Sequence, residues 1–380
     1  MRIGFCGPAS LAMLEQFIDG PIRHRGYPFT GTADLIAQYI QMGHFVHLVS
    51  TDTAITSPVE YMGQHLRVTL VPSRARARAR ALDFFRKERE GIRHAILAAK
   101  VDVIHAHWTY EFALAAQSTS LPLVITVHDW APTVARHNKN LYWYFRWCMQ
   151  IMCCTGRGIF TAPTGHIAQR VERVFRRPCN VVPNGLNLSE WNDSYKGMLS
   201  PPKVGMLNVG FSSLKNVSAA LEAWPEVRDR IPDARLVLAG PGYEMGGAAH
   251  GWAIDHNLTD GVAFDGALEA SARLPWLTDK QVFLHTSRHE SFSLAIVEAM
   301  AVGLPVIAGE RAGAVPEITQ GEARLVDVSD PSEVANSVID LLNDSAARLE
   351  MSLRGKQAIQ RFDIGVVASE YIRLLEVSLQ

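Results

Sequence analysis

The chain has 380 residues, enough for two domains, and its 37 basic and 38 acidic side chains leave a net charge of −1, so nothing global draws it to nucleic acid. With 48% hydrophobic and 20% charged residues it can bury real cores, which excludes extended disorder. No apolar run reaches the ~18 residues a membrane-spanning helix needs.

The opening MRIGFCGPASLAML reads as a first β-strand rather than a signal peptide, because one Arg is a thin basic region and Gly and Pro interrupt the apolar run. TADLIAQYIQMGH follows with helical spacing, with Leu35, Ile36, Tyr39 and Ile40 on one face and Gly43 as the stop. FVHLVS, RVTLV, DVIHAHW, LVITVHDW and GIFTAP are further strand-like runs, with helical segments between most of them. They are continuously apolar rather than alternating, which predicts strands covered on both faces, hence a parallel sheet between helices. The rhythm breaks over 180–203, a Pro-, Asn-, Gly- and Ser-rich stretch that reads as a linker. It restarts with VGMLNVG, a helix over 216–230, ARLVLAG, GVAFDG, QVFLHTS, a helix over 292–302, LPVIAG and ARLVDV, and ends in helices near 331–344, 346–360 and 365–378. The expected architecture is α/β, with two Rossmann-like, doubly wound halves facing across a cleft. The first covers 1–184, with 363–380 packing back on it, and the second covers 185–362. In such sheets ligands sit beyond the carboxyl ends of the strands.

At one of those ends stands RHESFSLAIVEAMAVGLPVIAG, with Glu290 and Glu298 eight residues apart in small and apolar surroundings. A helix beginning near Ser291 would separate the two by roughly 80° around its axis. Its N-terminus, with free N–H groups and the hydroxyls of Ser291 and Ser293, suits a phosphate. Glu298, about two turns in, suits a ribose diol, and Glu290 would lie near whatever the phosphate carries.

The segment HESFSLAIVEAMAVGLPVIAGERAGAVPEI resembles the E-x7-E signature of retaining glycosyltransferases of the GT-B fold, family 4 type. GTADLIAQYIQMGHFVHLVST, DVIHAHW, ITVHD, VVPNGLN, LNVG with LKN, LVLAGPG and VAFDGAL follow the family's order through nearly the whole chain. The resemblance implies a nucleotide-diphosphate sugar as co-substrate, held by the C-terminal half, and a saccharide or lipid-linked acceptor held by the N-terminal half, in polysaccharide or glycolipid assembly. It implies Glu290, His128 and Lys215 as catalytic residues and Glu298 on the ribose. Ser291, Phe292, Ser293 and Leu294 would offer N–H groups to the sugar and diphosphate, and Gly210, Lys215 and Asn216 would meet the phosphates. Gly240, Pro241 and Gly242 would line the donor, Asp265 to Leu268 would lie near the base, and Gly31 and Thr32 would approach the diphosphate from the other half. No cofactor is implied, and no D-x-D offers a metal site. The family usually has Arg after the glycine in Gly210's place. Here Phe211, Ser212 and Ser213 follow, so either Lys215 or Arg288 carries that charge or donor binding is weakened.

Other features leave alternatives open. Arg74, Arg76, Arg78 and Arg80 alternate with Ala; as a helix they would form two stripes, Arg74/Arg78 and Arg76/Arg80, facing either anionic lipid or only solvent. LYWYFRWCMQIMCC, 141–154, is either core or an interfacial helix. His105 and His107 share a strand face without a third metal ligand nearby. Trp108, Tyr110, Asp129 and Trp130 follow strand ends, where rings either stack on an acceptor sugar or simply pack. The five cysteines have no metal or redox spacing and are expected reduced and buried. A cytoplasmic protein, with at most peripheral membrane contact, fits these features. The rivals are a nucleotide-sugar epimerase on the same scaffold and a binding or scaffold protein without turnover.

Overall fold

A computed structural model describes residues 1–27, 29–191, 197 and 200–380. The apolar runs build two sheets. The first holds β1 Arg2–Cys6, β2 Phe45–Asp52, β3 Val59–Met62, β4 Leu66–Pro72, β5 Val103–His107, β6 Leu123–Thr126, β7 Ile159–Ala162 and β8 Cys179–Val181, in the order β3-β4-β2-β1-β5-β6-β7-β8. The second holds β9 Lys203–Leu207, β10 Arg235–Ala239, β11 Val262–Gly266, β12 Val282–His285, β13 Val306–Gly309 and β14 Arg324–Val326, in the order β11-β10-β9-β12-β13-β14. Burial on both faces explains the unbroken apolar runs: Ile104 and Ile125 pack into the core on one face of the first sheet, Val103 and Val124 into that on the other.

The first sheet is not wholly parallel. β3 runs antiparallel to β4 at the edge, with Glu60 opposite Thr69. Only a few residues join β3 to β4, and so short a connection can make a hairpin but not a parallel crossover.

The chain divides into two units, Met1–Gly185 with Ile364–Gln380, and Leu186–Asp363. The helix Ile364–Ser378 buries Val367, Tyr371, Leu374 and Leu375 in the core that also holds Ile3, Val103 and Val124. Of the expected linker, 180–203, the described part contains the end of β8, a 3-10 turn at Leu188–Trp191 and the start of β9; residues 192–196, 198 and 199 lie outside the described ones.

The arginine run departs from its expected stripes. Its helix is only Ala77–Ala81. Arg74 lies before it and turns its guanidinium inward, 2.6 Å from the buried Glu88 and 2.8 Å from Asp83, with a further bond to the Ala79 carbonyl. Arg80 bonds Ser73 Oγ at 3.1 Å and lies over the Phe85 ring. Arg76 and Arg78 alone of the four are exposed, because a buried Glu88 needs a cation and Arg74 is within reach. Four of the cysteines are buried, but Cys148 is exposed.

Candidate active site

In the second unit the strand order reverses at β9, with β10 and β11 to one side and β12 to the other. Beyond the carboxyl ends of β9 and β12 is where an open α/β sheet leaves a crevice. The loop after β9 carries Gly210, and the loop after β10 carries Gly240, Pro241 and Gly242. Gly210 N–H donates to the Pro241 carbonyl at 2.9 Å, and Tyr243 Oη donates to the Gly210 carbonyl at 2.9 Å. Gly240 has φ 124, and a Cβ there would lie 1.7 Å from the Asn208 carbonyl oxygen, so only glycine lets these two backbones meet. Phe211 is partly buried with its ring 5.8 Å from that of Trp252. Arg288 is exposed.

The loop after β12 carries Glu290. Its N–H donates to the Ala312 carbonyl at 3.1 Å and its carbonyl accepts from Ala314 N–H at 2.9 Å, which pins the loop to the segment after β13. The side chain faces back: Oε1 lies 2.7 Å from Lys215 Nζ and 3.1 Å from His285 Nε2. Burial pushes this carboxyl up, but the Lys215 charge and the His285 bond outweigh it and hold Glu290 well below the usual carboxylate range. It is therefore a fixed negative charge at neutral pH and not a proton donor.

The following helix begins later than expected, at Leu294, and Ser293 is its cap, accepting the Ile296 N–H at 3.4 Å. The Ser293 hydroxyl therefore serves the helix end first, and Glu298 sits about one turn in rather than two. Glu298 is 2% exposed and is ion-paired with Arg273 of the helix Ala270–Thr278, which follows β11. Asn216 departs from its expected role: it is buried, and its side-chain amide donates to the Val328 carbonyl at 2.7 Å, so it ties the loop down.

Arg273, His285 and Tyr243 escaped the sequence reading. His285 ends the strand five residues before Glu290, a signal that alternation along β12 would have given. Arg273 reaches Glu298 from another helix, 25 residues away, which no local pattern reveals.

The first unit has its own reversal, at β1 between β2 and β5. Gly31 and Thr32 do not precede the helix there but lie in its first turn, since it runs Thr30–Gln41. Thr32 is buried and its hydroxyl donates to the Pro8 carbonyl, so that hydroxyl is engaged within the protein. Tyr110 is buried, its hydroxyl donates to Asp129 Oδ1 at 2.7 Å, and the Arg146 guanidinium covers its ring at 3.7 Å. Trp130 is 8% exposed and edges onto Phe175. Both rings are packed, so neither offers a face to a sugar. Trp108 is different. It is partly exposed, in the left-handed region at φ 66, with the rings of Tyr27 and Phe29 5.4 and 5.5 Å away and His128 edge-on at 6.2 Å.

His128 Nε2 lies 2.7 Å from His107 Nδ1. His107 Nε2, buried in a ring stacked on Phe5, has no hydrogen-bond partner among the described residues. A buried N–H left unpaired costs more than a bare ring nitrogen, so the His107 proton is assigned to Nδ1, donating to His128, and the His128 proton to Nδ1. His105 completes the group, held by Tyr39 Oη and Thr126 Oγ1, each at 3.0 Å.

Burial holds these rings neutral. It lowers His128 to about 4, and with the neighbouring His128 it lowers His105 to about 3. It also lowers His107, and His47 to about 4. The unfolded chain therefore takes up more protons than the native one as pH falls below ~6.5. We expect the thermal midpoint to drop steadily from pH 6.5 to 4.5, before depressed carboxylates such as Glu290 begin to protonate. Calorimetry over that range is the measurement, and a flat profile would mean that these rings charge freely in the native state.

The residues match known proteins in two blocks. Residues 30–190 match the family model described as Glycosyltransferase Family 4, and 203–344 the model described as Glycosyl transferases group 1. The chain is 28% identical over 203 residues to the phosphatidyl-myo-inositol mannosyltransferase of Mycobacterium leprae (strain TN), a match covering 51% of this chain and 52% of that protein. The chain thus spans about half the length of that relative. It is 24% identical over 343 residues to the GDP-mannose:cellobiosyl-diphosphopolyprenol alpha-mannosyltransferase of Xanthomonas campestris, covering 86% of each. Its fold is similar to that of sucrose-phosphate synthase from Thermosynechococcus elongatus, with a TM-score of 0.77 at 16% identity over 99% of this chain and 98% of that one. The two model matches together take in most of the chain, and with the paired sheets they show that it belongs to the glycosyltransferases of the GT-B fold, family 4 type.

Proposed function

We propose that the protein transfers a sugar, with retention of anomeric configuration, from a nucleotide-diphosphate sugar to a saccharide or lipid-linked acceptor. The observation that carries this reading is the group at the β9–β12 reversal, where Lys215 and an ionised Glu290 stand together beside glycine loops and Glu298 lies buried nearby. The diphosphate meets Lys215 and the N–H groups of Ser291 to Leu294, with Phe292 among them, while Gly210 and Gly240 to Gly242 admit it closely. Glu298 takes the ribose hydroxyls, and Glu290 orients the sugar. In the reaction the bond from C1 to the departing phosphate oxygen breaks. The acceptor oxygen bonds C1 on the same face, and its proton passes to the departing diphosphate. Lys215 stabilises the charge that develops there.

The acceptor belongs to the first unit, with Trp108 as its stacking ring and Tyr27 and Phe29 beside it. The left-handed backbone at Trp108 costs energy, and such strain is common where a side chain is aimed at a ligand. We place the reaction in the cytoplasm. An epimerase on this scaffold would instead need a proton-shuttling pair, for which His128 and Glu290 are the candidates.

No metal enters this scheme. Lys215 with the helix N–H groups supplies the positive charge instead. The test is radiolabelled sugar transfer from UDP-, GDP- and ADP-sugars to lipid and saccharide acceptors, with and without EDTA. Transfer from one donor, unchanged by EDTA and with the donor's anomeric configuration in the product, is expected. Loss of transfer with EDTA, or an inverted product, would refute the scheme.

A further inference from the structure

The helix Leu141–Cys154 contains one charged residue in fourteen, Arg146, and that one is buried. Arg146, Met149, Gln150, Cys153 and Cys154 face inward. The opposite face carries Leu141 at 69% exposure, Tyr144 at 45%, Ile151 at 42% and Met152 at 45%, with Trp147 and Cys148 also exposed. Spacings of three and four put these six on one stripe. Leu82, exposed as well, follows the short helix Ala77–Ala81 that packs against this one. A helix facing water normally shows charge on its outer side, and this one shows none. Single exposed apolar residues are ordinary, but a continuous stripe marks a surface that something covers.

The rim identifies what covers it. Arg76 and Arg78 are exposed on the packed neighbour, and Arg136 and Lys139 are exposed just before the helix. Asp83 and Glu88 both engage Arg74 and Glu90 engages Arg86, and among the described residues no acid pairs with Arg76, Arg78, Arg136 or Lys139. Uncompensated positive charge around an apolar stripe complements anionic lipid. Tyr144 and Trp147 suit the headgroup level, with Leu141, Ile151 and Met152 suited to the acyl boundary. The helix, about 21 Å long, is too short to cross a hydrocarbon layer of ~30 Å.

We infer that this face docks on the surface of an anionic bilayer, with the helix lying in the plane of the membrane and its stripe buried about 5–10 Å deep. The arginine run then contributes through Arg76 and Arg78 only.

Cys148 sits on the stripe and the other four thiols are buried, so a thiol-reactive nitrobenzoxadiazole dye can be placed there selectively. The full chain is mixed with vesicles of equal phosphatidylglycerol and phosphatidylcholine, or of phosphatidylcholine alone, and sedimented. We expect binding to the mixed vesicles, a blue shift of the dye, and release by salt. Arg76→Gln with Arg78→Gln should weaken binding roughly twenty-five-fold, about five-fold for each charge. Ile151→Glu should abolish the blue shift while circular dichroism stays unchanged. Absence of binding to the mixed vesicles, or binding indifferent to Ile151→Glu, overturns the inference. So does a dimer in solution that Ile151→Glu dissociates, which would assign the stripe to a second copy. No donor or acceptor sugar is present, so the result is independent of the proposed reaction.

Discussion

Lys215→Met is expected to lower turnover at saturating donor by about 10²–10³-fold, the range found when one group stabilising a developing charge is removed. It should also destabilise the second unit. The change leaves Glu290, largely shielded at the helix entrance, with His285 as its remaining partner among the described residues, and stranding one member of a buried pair costs about 3–5 kcal/mol. Lys215 keeps some solvent contact, so the lower end of that range applies. The two effects separate in a cycle. Adding Glu290→Gln removes the stranded charge and should restore most of the denaturant midpoint, while turnover stays low. Full activity in the single variant would show that Lys215 serves only the fold.

Glu298→Ala is expected to weaken nucleotide binding by roughly ten- to a hundred-fold, the worth of a charge-assisted hydrogen bond of about 1.5–3 kcal/mol. Glu298→Gln, which keeps the hydrogen-bonding shape without the charge, should fall between. The chemistry adds a sharper check. Wild type should prefer a ribonucleoside diphosphate to its 2′-deoxy analogue, and the alanine variant should lose that preference. Calorimetry with both ligands measures it, and an equal preference in the two proteins would remove Glu298 from the ribose. Arg273 complicates the count, because it already occupies the carboxylate. Nucleotide must therefore share Glu298 with Arg273 or displace it.

The strands were legible because burial on both faces makes them mostly apolar, and Val103–His107 and Val282–His285 stand out even with their buried histidines. The hairpin strand Val59–Met62 was not, since it is a short edge strand with Glu60 and Met62 on the face in water and looks like loop. The start of the helix at Leu294 was misplaced because Ser291 and Ser293 are both good caps, and only the bond to Ile296 N–H decides between them. The two glutamates were visible as unusual residues in an apolar run. Their partners were not, for Lys215 and Arg273 arrive from 75 and 25 residues away. The arginine run misled for the same reason: alternation said nothing of the buried Glu88 that draws Arg74 inward. Thr32 and Asn216, expected near the diphosphate, have side chains engaged by the protein's own carbonyls, and of the two readings left open for Tyr110 the packed one fits its bond to Asp129.

The helix Ile364–Ser378 closes the first unit's core with Tyr371, whose hydroxyl lies 3.3 Å from Thr126 Oγ1. During synthesis the first 185 residues thus emerge without the piece that covers them, and the whole of Leu186–Asp363 must be made before it arrives. At ~5–20 residues per second that interval is on the order of ten to forty seconds. Through it the apolar face around Ile3, Val103 and Val124 lacks part of its cover on the nascent chain. The half that is translated first is completed last, and a ribosome stalled within the second unit would present a chaperone with an open sheet rather than a finished domain.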